Sequence, residues 1–117
     1  MKSLSDTLTL TLTSTQPSAQ SQPDNNTGAG NTVTGIYSLN QNNSGSYNTT
    51  TGHHSLTSNI SGSYNTSIGA FSSYYNIMGS YNTSVGSEAL FKNDNGTHNT
   101  AVGYQALYNA QPASYNS

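Results

Sequence analysis

The chain has 117 residues, two lysines, no arginine, four acidic residues and no cysteine, for a formal net charge of -2. No basic patch is available for phosphates or anionic lipid, which excludes nucleic acid as a partner, and no disulfide or thiolate metal site can staple the fold. Leu, Ile, Val and Phe supply only 17 residues, below the roughly 20% expected of a conventional core, yet nine tyrosines and the near absence of charge are unlike a disordered chain.

In chain order, residues 1–27 form a first segment. Its "TLTLTLTST" alternates leucine with threonine and reads as a β-strand with one apolar edge, followed by the linker-like "QPSAQSQPDNN". Neither the apolar run of a signal peptide nor a membrane-spanning run is present, so no membrane insertion is expected. The strand is expected either to cap the domain that follows or to be donated to a neighbouring subunit, since an alternating strand suits β-augmentation.

Residues 28–117 are a repeat array with a period of 17 and no insertion or deletion. Units start at Gly28, Gly45, Gly62, Gly79 and Gly96, and a partial sixth starts at Ala113. A second glycine column runs through Gly35, Gly52, Gly69, Gly86 and Gly103. Asparagine recurs at Asn31, Asn48, Asn65, Asn82 and Asn99, and leucine at Leu39, Leu56, Leu90 and Leu107, with Ser73 as the exception. Two glycines per unit, among Asn, Ser and Thr, exclude helix, at about 1 kcal/mol per interior glycine. "SYNTSVG" and "EALF" read as two short strands joined by glycine turns, so one repeat is one coil of a parallel β-solenoid or β-roll. The fold class expected is therefore all-β, a parallel roll of five 17-residue coils.

In-register stacking sets each residue above its own copy, which suits asparagine, whose amides can bond along a ladder. Alternation places Tyr, Thr and Val of "YNTSV" on one side and Asn and Ser on the other. The expected core is Ile68, Val85 and Val102 with Leu56, Leu90 and Leu107. So thin an interior calls for association of several stacks, most simply a symmetric homotrimer.

Few residues invite chemistry. His53 and His54, if on a strand, point to opposite faces, and His98 occupies the tyrosine column; no catalytic residue, cofactor site or metal site is expected, and the chain reads as a non-enzyme. Tyr47, Tyr64 and Tyr81 form an aromatic column that serves either as a contact surface for sugars or a receptor, or as packing between coils. Tyr74, Tyr75, Tyr104 and Tyr108 fall outside it. Thr-x-Thr arrays of the kind that could order ice appear only in the first two units. Seven Asn-x-Ser/Thr sequons occur, at Asn25, Asn42, Asn48, Asn59, Asn65, Asn82 and Asn95; those at Asn48, Asn65 and Asn82 lie in the ladder, and Asn42, Asn59 and Asn95 are the better candidates for glycosylation.

"NTAVGYQAL" (99–107) and "NTSVGSEAL" (82–90) resemble the repeats of phage tail fibres and of the left-handed parallel β-roll heads of trimeric autotransporter adhesins. The resemblance covers Gly28 to Ser117 and is strongest in the last two units. It implies three chains side by side in a rigid extracellular trimer on a cell surface or virion, with adhesive surfaces displayed many times over. The anchor barrel, coiled-coil stalk and chaperone-like domain that often accompany such heads are not found in the sequence. The function expected is that of a structural and adhesive fibre protein. The alternative is a filament subunit that polymerises by stacking its coils end to end, or through a donated N-terminal strand.

Overall fold

A computed structural model of the chain describes residues 8–11, 28–110 and 113–117. The described residues are all-β, a parallel β-solenoid of about four turns with no helix among them. The linker, Pro17, Pro23, Pro112 and the Asn25 sequon lie outside the described residues.

Among the described residues, six strands form one parallel sheet in chain order: β1 (Leu8–Thr11), β2 (Asn31–Thr34), β3 (Thr49–Thr51), β4 (Thr66–Ile68), β5 (Thr83–Val85) and β6 (Thr100–Val102). From β2 to β6 each residue pairs with the residue 17 positions on, as in Thr49 with Thr66 and Thr66 with Thr83. The first segment joins the same sheet, with Leu8 in register with Asn31 and Thr11 with Thr34.

Each coil has one strand, not two. The stretch expected to be the second strand is a run of turns in which left-handed residues recur: Leu39, Leu56, Ser73, Leu90 and Leu107 have φ between 48° and 54°. Their amides still point along the stack. Leu39 N donates to Ser55 O at 3.0 Å, Leu56 N to Ser72 O at 2.9 Å, and Leu90 N to Ala106 O at 2.8 Å. Sixteen non-glycine described residues have positive φ, each a conformation costing roughly 1 kcal/mol for an L-residue. The cross-coil hydrogen bonds hold them there, because releasing one would orphan a buried amide.

The two glycine columns have separate causes. At Gly69, φ is +128° and an added Cβ would lie 2.6 Å from Gly86 O. At Gly62 the dihedral is ordinary, and the constraint is approach: a Cβ would lie 2.1 Å from Gly79 O.

The inner and outer faces are the reverse of those expected. Asn and the residue two positions on face inward: Val33, Thr50, Ser67, Ser84 and Ala101 are all buried. Ile68 and Val102 are outside, 40% and 67% exposed, and Val85 is half-buried. Burying the apolar position would have turned the asparagines out to water and left the carbonyls they cap unpaired; hydrogen bonding overrides the hydrophobic pattern here. The leucine column is inside as expected, with Leu39, Leu56 and Leu90 fully buried. The core is therefore in two pieces, Val33 with Leu39 and Leu56, and Leu90 with Ala89, Ala101 and Ala110. Hydroxyls lie between them: Ser84 Oγ is 2.6 Å from Ser72 Oγ and 2.7 Å from Ser73 Oγ.

Candidate functional site

The asparagine column is a clamp between successive coils. Asn48, Asn65, Asn82 and Asn99 each donate their backbone N–H to the Oδ1 of the asparagine one coil earlier, at 2.9 Å. Their Nδ2 groups donate to the carbonyls of Gly62, Gly79, Gly96 and Ala113 at 2.8–2.9 Å.

A second asparagine column, not anticipated from the sequence, faces it across the glycines. Asn42, Asn59, Asn76 and Asn93 donate Nδ2 to Gly45, Gly62, Gly79 and Gly96 O, three residues on. They also bond to one another: Asn59 Nδ2 to Asn42 Oδ1 at 2.7 Å, Asn76 to Asn59 at 3.0 Å, and Asn93 to Asn76 at 2.7 Å. Both lone pairs of each of these glycine carbonyls are thus occupied by side-chain amides. Asn42 and Asn59 are fully buried, so the expectation that they carry glycans is corrected: a glycosylated amide could neither fit nor make these bonds. Asn95 is exposed. The signal was present, since asparagine holds this position in four consecutive units, but two of the four read as sequons and drew the other interpretation.

Aromatic rings form two ladders. In the first, Tyr47, Tyr64, Tyr81, His98 and Tyr115 stack at centroid distances of 5.1, 5.1, 4.9 and 4.7 Å with interplanar angles of 18° or less. Their faces are consumed by their neighbours; what they offer to solvent is a row of ring edges and hydroxyls. In the second, Tyr37, His54 and Phe71 stack on one another and Tyr74, Phe91 and Tyr108 do likewise, the two runs meeting where Phe71 lies 5.7 Å from Tyr74. Sequence columns missed it because it changes column between Phe71 and Tyr74.

His53 and His54 are in a turn, not a strand, and their rings lie 4.4 Å apart instead of on opposite faces. Burial, and secondarily the neighbouring His53 charge, lower the His54 pKa from its ordinary value. Among the described residues no group of three or more His, Asp or Glu is placed to hold a metal ion.

The outer face of the sheet carries two side-chain columns. Thr32, Thr49, Thr66, Thr83 and Thr100 form one; Thr34, Thr51, Ile68, Val85 and Val102 form the other. No charge interrupts either. The comparisons with known proteins add nothing to this geometry: no family model, no curated protein and no solved structure matches the chain.

Proposed function

We propose that the protein is a structural and adhesive fibre component, a rigid β-solenoid segment that works outside the cell, on a cell surface or virion, as three copies packed side by side. The observation that carries this reading is the bare outer face of the sheet. Parallel sheets are as a rule covered on both faces, and this one leaves Ile68 and Val102 in water beside an uncharged threonine column. Packing copies of the chain through that face covers it and thickens a core that is thin and divided. The number three comes from the resemblance of the repeats to tail-fibre and adhesin-head repeats. The partners on this reading are the chain itself and a glycan or receptor on a target surface.

The alternative, a filament of coils stacked end to end, meets an obstacle in Ala113. In every complete unit the residue in this column is glycine, and a Cβ there would lie 2.1–2.3 Å from the carbonyl oxygen of the next coil. Ala113 carries that Cβ, so a further coil in the same register would collide with it. This favours a finite assembly over in-register polymerisation at that end. Sedimentation equilibrium tests both. A mass three times the 12.3 kDa chain, unchanged with concentration, supports the trimer; a monomer or an open-ended polymer overturns it.

A further inference from the structure

Tyr75, like His53, has a ring that stands across the second ladder instead of joining it. Its ring is tilted 79° to Tyr74 and 85° to Phe91, with centroids 4.7 and 5.4 Å away, while those two rings are stacked on each other at 11°. Tyr75 therefore stands across the stack, and 42% of the residue is left exposed.

That ring lines a depression of about 300 Å³ together with Ile77, Lys92 and Asp94, at the lower end of the range for small-ligand sites, about 300 to 1,000 Å³. The depression arises from a local break in the repeat. Asn76 bridges to Asp94, 18 positions on instead of 17, and Asp94 takes a left-handed φ of 59°. It also holds Lys92, the cation of the array, beside one of its two carboxylates. Among the described residues neither the Lys92 ammonium nor the Asp94 carboxylate has a hydrogen-bond or ion-pair partner in another side chain.

We propose that this depression binds a single neutral pyranose ring. Such a sugar has an apolar C–H face that packs on a partly exposed tyrosine ring and a rim of hydroxyls that both donate and accept. Asp94 accepts from one hydroxyl and Lys92 donates to another, each bond strengthened by charge. The paired charges also choose the class. An anionic ligand meets Asp94 and a cationic ligand meets Lys92, whereas a neutral polyol uses both. As the point of adhesive contact the site rests on the reading above, but it is built within one chain, so its test is independent of the number of copies.

The experiment is saturation-transfer NMR on the full chain with methyl glycosides of glucose, mannose, galactose, fucose and N-acetylglucosamine, with inorganic phosphate and N-acetylneuraminic acid as charged comparators in competition. At least one neutral glycoside is expected to bind with a dissociation constant of about 1 mM, ordinary for a ligand of its size, with transfer concentrated on one face of the ring. Tyr75→Ala should weaken it at least tenfold. Asp94→Asn, which keeps a residue tolerant of the left-handed backbone, and Lys92→Met, at an exposed position, should each weaken it several-fold while circular dichroism stays unchanged. Binding by none of the five glycosides, binding confined to the charged compounds, or affinity unaltered in Lys92→Met and Asp94→Asn overturns the proposal.

Discussion

Asn65 Nδ2 donates to the carbonyl oxygen of Gly79 at 2.9 Å, and the same oxygen accepts from Asn76 Nδ2 at 2.9 Å. One carbonyl in each coil is thereby held by an amide from each asparagine column, and the columns are what fix the pitch of the stack. Asn65 also accepts the Asn82 N–H, so Asn65→Ala removes a donor and an acceptor and leaves a buried amide unpaired. The expected loss is about 3 kcal/mol in urea denaturation. Asn95→Ala, at an exposed position one coil further on, should change stability by less than about 0.5 kcal/mol. Equal effects for the two substitutions would mean that the clamp contributes nothing.

The period, both glycine columns, the first asparagine column and the leucine column were legible in the sequence, because stacking demands that each position repeat its own chemistry. The faces were not. Alternation separates Tyr64, Thr66 and Ile68 from Asn65 and Ser67, and the structure keeps that separation, with the two latter buried; what alternation does not say is which set faces inward. The apolar pattern then pointed Ile68 inward while the amide of Asn65 required that place. The Tyr75 depression was illegible for a different reason: it depends on an 18-residue step inside a 17-residue repeat, and no residue type marks that step.

Glycine in the first column is required by the carbonyl above it, and this makes a contrast between two positions of the same column. Gly62→Ala drives a Cβ to 2.1 Å from Gly79 O and close to Asn59 Oδ1 at 2.5 Å. Neither backbone nor buried amide can yield without breaking ladder bonds, so the expected cost is about 3 kcal/mol or more. Ala113→Gly, where no described coil lies above, should stay within about 1 kcal/mol of the parent. Thermal denaturation of the two variants distinguishes a steric requirement of the stack from a general intolerance of substitution in this column.

The outer face separates folding from association. Ile68→Lys places a charge on the side of β4 that faces solvent in the single chain, so the solenoid should keep its circular dichroism spectrum while the assembly falls to the mass of one chain. Leu56→Ala acts on the other side, emptying a fully buried position, and should cost about 2–5 kcal/mol of stability. An Ile68→Lys protein that still sediments as a trimer would place the interface elsewhere.

His54 gives the fold a pH dependence whose direction is set by its lowered pKa. It is stacked between Tyr37 and Phe71 at 4.9 and 5.2 Å, where burial first and the His53 charge second disfavour the imidazolium. The unfolded chain, with an ordinary histidine pKa of about 6.5, therefore takes up a proton more readily than the folded one. Stability from this residue is complete above that value and is lost as the pH falls through the lower folded-state pKa. Between about pH 7.5 and pH 5.5 the melting temperature should therefore drop on acidification. His54→Tyr replaces the ring by one already present in this ladder at Tyr37, with the same sign of φ, and should flatten the dependence while preserving the stack. A drop of equal size in His54→Tyr would show that the effect does not come from His54.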